Sequence, residues 1–144
     1  MTAIFSATDI RGTLGDDLTI EYIWDIGKAF SDWLSGDSQV VVMRGNSVDE
    51  STVHALTEGV LLQGRSVIDA GAGDPQQLIG TIMNKQAAGG VLVEYQTTQN
   101  LVVITLFDDR GVGILDSTGL QEITQLVEAG NFMPAAQKGV VVGL

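Results

Sequence analysis

Between Gln39 and Phe107 the chain alternates two hydrophobic periodicities, and that alternation limits the folds open to it. Gln39–Met43, Ser66–Ala70, Gly89–Tyr95 and Leu101–Phe107 are short runs dominated by valine, isoleucine and leucine, the signature of buried strands. Between the first three lie helical patterns. One runs from about Asp49 to Gln63, with Val53, Leu56, Val60 and Leu61 on one face and Gly64 as its stop. The next starts at Asp74-Pro75, where proline's missing N–H costs little, and reaches roughly Gln86. Strands joined through helices pair in parallel, whereas the last two, joined by a short polar link, form an antiparallel hairpin. The expected fold is a three-layer α/β sandwich with a mixed, mostly parallel sheet and helices on both faces.

The flanks extend this plan. Ala3–Ala7 reads as a first strand, and Thr19 caps a helix with Ile20, Ile23, Trp24, Gly27, Phe30 and Leu34 at helical spacing. Ser35-Gly36-Asp37 closes that helix. Gly71-Ala72-Gly73 reads as a turn, since a dinucleotide fingerprint would directly follow the first strand. Asp16-Asp17 and Asp49-Glu50 are expected at helix N-termini, where negative charge is favourable. His54 reads as a partly exposed helix residue, Trp24 as core, and Trp33 as either core or an exposed contact. Asp108-Asp109-Arg110-Gly111 is a turn, and Asp116 or Ser117 caps a last helix through Glu128. One domain over 1–144 is expected. Its apolar tail, 132–144, is either a docking strand or the start of a lost linker.

Composition removes several functions. The absence of cysteine excludes disulfides and thiolate chemistry. A net charge of −11 repels nucleic acid backbones and anionic lipid, so neither is an expected partner. The apolar runs are too short to span a bilayer, and the N-terminus reads as a strand rather than a leader, which points to the cytoplasm. Sugar phosphates would be repelled as well, unless arginine reversed the local potential. Arg11, Arg44, Arg65 and Arg110 are the arginines available.

Phe5 followed by Asp9-Ile10-Arg11-Gly12 resembles the opening of the first domain of the α-D-phosphohexomutases, the phosphomannomutase and phosphoglucomutase family. The resemblance continues through Leu14-Gly15, Ile26-Gly27-Lys28-Ala29-Phe30, Val40-Val41-Val42 and Gly64-Arg65-Ser66-Val67-Ile68-Asp69-Ala70-Gly71. Ala88-Gly89-Gly90-Val91 and Ile104-Thr105-Leu106-Phe107-Asp108-Asp109-Arg110-Gly111 complete it, so that most of residues 3 to 130 is covered in order.

The departures fall on the chemistry. In active members the Gly-Gly strand leads to a Thr-Ala-Ser-His-Asn-Pro loop whose serine carries the transferred phosphoryl group. By this resemblance Gln96 stands at the phosphoserine position, after Glu94 and Tyr95, and is followed by Thr97, Thr98 and Gln99. An amide cannot carry a transferable phosphoryl group. The family's Gly-Arg-Asp-x-Arg segment becomes Met43-Arg44-Gly45-Asn46-Ser47, keeping one arginine, and its lysine beside the returning strand becomes Thr105. No catalytic residue is therefore assigned. Arg11 and Arg44 are candidate phosphate-binding remnants, and Thr97 and Thr98 are candidate displaced hydroxyls. The family's Mg²⁺ loop belongs to a second domain absent from this chain, so neither metal nor cofactor is expected.

The leading expectation is a catalytically degenerate phosphohexomutase-like domain, acting as a binding or assembly module and not as a mutase by itself. Its partners would be further copies of itself or other domains of a longer protein. Two alternatives stand beside it. One is a domain of a divergent phosphomannomutase or phosphoglucomutase; the other is a sensor holding sugar phosphate weakly at Arg11 and Arg44.

Overall fold

The computed structural model describes residues 4–6 and 8–144, and its core is one seven-stranded sheet. In chain order the elements are β1 (Ile4–Phe5), β2 (Ile10–Gly12), α1 (Ile20–Trp33), β3 (Val40–Arg44), α2 (Glu50–Leu62), β4 (Val67–Ala72) and α3 (Pro75–Lys85). They are followed by β5 (Gly89–Gln96), β6 (Leu101–Phe107), a π-turn (Asp116–Leu120), α4 (Gln121–Ala129) and β7 (Val141–Gly143). The sheet order is β1-β2-β6-β5-β3-β4-β7. Pairings from β5 through β3 and β4 to β7 are parallel; those from β5 through β6 and β2 to β1 are antiparallel.

Period-two alternation in the strands sorts the core into two layers. Val40 and Val42 of β3, Val91 and Val93 of β5, and Ile104 of β6 join Ile23, Ile26 and Phe30 of α1, Leu56 and Val60 of α2, and Ile123 and Val127 of α4. Val41, Met43, Leu92 and Phe107 point the other way, to Leu78 and Ile82 of α3. Three helices therefore cover one face and a single helix covers part of the other. Among the described residues no helix is long and apolar enough to cross a membrane.

The helices α1 and α2 meet backbone to backbone at two glycines. A Cβ on Gly27 would stand 2.3 Å from the carbonyl oxygen of Leu56, and one on Gly59 would stand 2.1 Å from that of Trp24. Arg65 fixes the far end of α1. Its buried guanidinium donates to the backbone carbonyls of Ser31, Leu34, Gly36 and Ser38 and to the Ser31 hydroxyl, at 2.6–3.3 Å. A cation is favourable at that helix terminus, where the last carbonyls lack helical partners.

Several boundaries differ from the sequence reading. Ile10–Gly12, which the sequence pattern placed in no element, is a strand because β6 offers it an antiparallel edge. Ala3 and Ala7, at the ends of the expected first strand, lie outside the described residues; Ile4–Phe5 pairs with β2. Gly71 and Ala72 continue β4 past a bulge rather than forming a turn. Asp17 does not serve a helix N-terminus but accepts the Thr13 N–H. The last helix is not capped by Asp116 or Ser117. A π-turn occupies that stretch, tied by the Leu115 N–H to the Thr118 hydroxyl at 2.8 Å, and α4 follows from Gln121.

The tail docks on its own domain. Ala135 and Gly139 donate to the Leu62 and Leu61 carbonyls at 2.9 Å, Lys138 pairs with Glu58, and β7 adds to β4 as an edge strand. Val140, Val141, Val142 and Leu144 nevertheless remain exposed.

Candidate functional site

Ligands of open α/β sheets gather beyond the C-terminal ends of parallel strands, at the point where chain direction switches. Here that point is the end of β3 and β5. A cleft of about 430 Å³ opens there, lined by Leu14, Ser47, Val48, Asp49, Tyr95, Asn100 and Val102. Its walls come from three segments: the loop after β2, the loop between β3 and α2, and the β5–β6 hairpin.

The hairpin is closed and regular. Every residue from Gly90 to Gln96 pairs with β6, the last pair being Gln96 with Leu101, which leaves residues 97–100 as the loop. The Gln99 N–H donates to the Gln96 carbonyl at 3.3 Å, and Asn100 takes a left-handed conformation at φ 54°. Asparagine tolerates that conformation better than most residues. The Tyr95 hydroxyl bonds the Asn100 side chain across the loop. Gln96 itself is exposed, as are Thr97 and Thr98. Since Val91, Val93 and Tyr95 face α1 and α2, Gln96 and Glu94 face the other side of the sheet.

The two candidate cations are not brought together. Arg11 lies between Ile10 and Gly12 in β2, so its side chain leaves the sheet on the α3 side, level with Val103 and Glu94. There it grips Asp9 through two bonds, Nε to Oδ1 at 2.9 Å and Nη2 to Oδ2 at 2.8 Å. Asp9 also accepts the Ser6 and Thr8 hydroxyls, at 3.0 and 3.2 Å. The bond from Arg11 holds the Asp9 carboxyl below its usual range, against the opposing effect of burial, and Asp9 in turn raises the Arg11 pKa. The guanidinium is thus already engaged by a carboxylate.

Arg44 ends β3 on the opposite face, in line with Val40 and Val42. It lines a smaller cavity shared with His54 of α2, which is exposed. The remaining arginines are committed elsewhere: Arg65 to the end of α1, and Arg110 to Asp108 at 3.2 Å. No arginine or lysine lines the 430 Å³ cleft, whereas Asp49 does. Asp49 caps α2 by accepting the Ser51 N–H and hydroxyl at 2.9 Å, and those bonds lower its pKa. Glu94 lies against Gly45, beside the strand end that the resemblance makes reactive.

Among the described residues, no group of three or more His, Asp or Glu side chains stands together as a metal ligand set. The Tyr95–Asn100 bond and the membership of Tyr95 in the cleft escaped the sequence reading. The signal for them was an asparagine at the last loop position, preceding a valine-rich returning strand.

A family model described as phosphoglucomutase/phosphomannomutase, alpha/beta/alpha domain I, matches residues 2–134. A phosphomannomutase of Salmonella typhimurium is 28% identical over 131 residues, covering 90% of this chain and 29% of that protein. One from Klebsiella pneumoniae is 29% identical over 140 residues, covering 95% of this chain and 89% of that one. A solved phosphoglucomutase/phosphomannomutase family protein from Burkholderia thailandensis superposes with a TM-score of 0.83 at 22% identity, over 99% of this chain and 33% of that chain. The chain thus spans under a third of the length of the Salmonella relative and a third of the Burkholderia structure.

Proposed function

This chain belongs to the phosphoglucomutase/phosphomannomutase family, and on that premise we propose that it is a domain I whose phosphoryl-transfer site has lapsed. It serves as a binding or assembly module, located in the cytoplasm, and is not a mutase by itself. The observation that carries this reading is Gln96 at the end of β5, followed directly by a hydrogen-bonded hairpin. Phosphoryl transfer depends on an oxygen nucleophile and on cationic groups that stabilise the transferring phosphate oxygens. Gln96 has no such oxygen, Arg11 is occupied by Asp9, and Glu94 adds negative charge on the same face. Assembly is supported by β7, whose outer edge is unpaired among the described residues and is flanked by exposed Val140 and Leu144.

A second reading makes the chain one domain of a divergent mutase, with Thr97 or Thr98 as displaced acceptor. Its support is that both hydroxyls are exposed in the hairpin loop. The sensor reading, with one sugar phosphate on Arg11 and Arg44 together, has less support, since the sheet separates them.

Light scattering and thermal melting test the module. A dimer or larger species is expected, reduced to monomer in Val140→Lys/Leu144→Lys, with no rise in melting temperature at millimolar glucose 1-phosphate. A wild-type monomer, or a clear rise with the phosphosugar, contradicts it. Truncating the tail is a poorer test, because β7 is part of the domain's own sheet.

A further inference from the structure

The cavity at Arg44 holds chemistry that phosphoryl transfer leaves unused. It encloses about 190 Å³ between the end of β3, one side of α2 and edge strand β7. That is below the roughly 300 Å³ at which drug-sized ligands begin to fit, so its occupant is small. Arg44, His54 and Thr57 line it together with two carboxylates, Glu50 and Asp69, and Val141 of β7 contributes to an apolar wall. Arg44 is half-buried and its guanidinium makes no hydrogen bond or ion pair among the described residues, whereas each of the other arginines holds a carboxylate or several carbonyls. Among the described residues the Asp69 carboxylate accepts only the Gly71 N–H, at 2.9 Å. A guanidinium and two carboxylates thus line one small cavity without closing on each other.

We propose that this cavity binds an amino-acid-sized zwitterion, with its carboxylate on Arg44 and its ammonium group on Asp69 and Glu50. A planar guanidinium takes a carboxylate through two parallel hydrogen bonds, and Thr57 adds a hydroxyl donor at the same wall. The cavity's carboxylates outnumber its arginine, which favours an added ammonium and disfavours a dianion. Inorganic phosphate and sugar phosphates are therefore poor occupants. The proposal does not depend on the loss of phosphoryl transfer at Gln96, which faces the other side of the sheet.

His54 is the only histidine, so its ring signal reports on the cavity without overlap. The experiment titrates the full chain with glycine and β-alanine, and separately with acetate, methylammonium and inorganic phosphate, while the His54 ring resonance is followed by NMR. A saturable shift with a zwitterion is expected, weaker by about tenfold or more with acetate or methylammonium, and absent with phosphate. Arg44→Gln should abolish the shift. Glu50→Gln, at an exposed position, should weaken it while leaving the protein folded, and it decides the matter if Arg44→Gln fails to fold. No saturable shift with either zwitterion overturns the proposal. So does an unchanged titration in the variants, or acetate or phosphate binding as tightly as the zwitterion.

Discussion

Arg11 and Arg44 project from opposite faces of one sheet, Arg11 beside Val103 on the α3 side and Arg44 in line with Val42 on the α2 side. One ligand cannot take both, and each should behave as an independent residue. Arg11→Ala releases Asp9 and should cost about 1 kcal/mol in urea denaturation. Arg44→Ala should cost less, and the double variant should equal the sum within about 0.5 kcal/mol. A large coupling energy would place them in one network.

Acid sensitivity should trace to Asp9. Its carboxyl is held below the ordinary 3.8, chiefly by the Arg11 bond and against the effect of burial. A carboxylate depressed in the folded state contributes stability above its unfolded pKa, and that contribution is lost as pH falls through the folded value. Asp108 shifts in the same direction: burial opposes, but the N–H groups of Val112 and Arg110 outweigh it. Stability should hold from neutral pH to about 4 and erode below it. Asp9→Asn should be less stable at neutral pH and show a shallower acid limb; an unaltered limb contradicts this assignment.

The glycine contact between α1 and α2 predicts two opposite results from one substitution. In Gly59→Ala the new methyl meets the Trp24 carbonyl, a backbone atom that cannot rotate away, so the helices must separate. A loss of about 1–3 kcal/mol is expected. Gly80, exposed in α3 with nothing near its missing Cβ, should gain about 0.5–1 kcal/mol as alanine. Melting temperatures of the two variants check the pair.

Arg65→Ala should be among the most damaging single changes outside the apolar core, at about 2–4 kcal/mol. It strips donors from four backbone carbonyls at the end of α1. Arg65→Lys should recover only part, because an ammonium group cannot span that fan of acceptors. Full recovery by lysine would show that charge alone is needed.

Much of this architecture was legible in the sequence because its signals are local. Thr19, Asp49 and Asp74 cap α1, α2 and α3, and Gly36 and Gly64 turn left-handed after α1 and α2. What escaped depends on distant partners. Ile10–Gly12 becomes a strand only because β6 returns beside it, and the tail, left open between docking strand and linker, finds its place only because β4 ends the sheet. The π-turn at Asp116–Leu120 hid behind an ordinary capping pattern. At the site, the sequence identified Gln96, Arg11 and Arg44 but not their sides of the sheet. Facing follows from strand parity, and parity at Arg11 was invisible while its segment belonged to no recognised strand.

A lapsed phosphoryl-transfer site requires that no phosphoryl acceptor remains at the end of β5. Intact-mass measurement after incubation with excess glucose 1,6-bisphosphate and magnesium tests it most directly. An unmodified mass is predicted. A gain of one phosphate, lost in Thr97→Ala or Thr98→Ala, would contradict the account and move the chain back among phosphoryl-transfer domains.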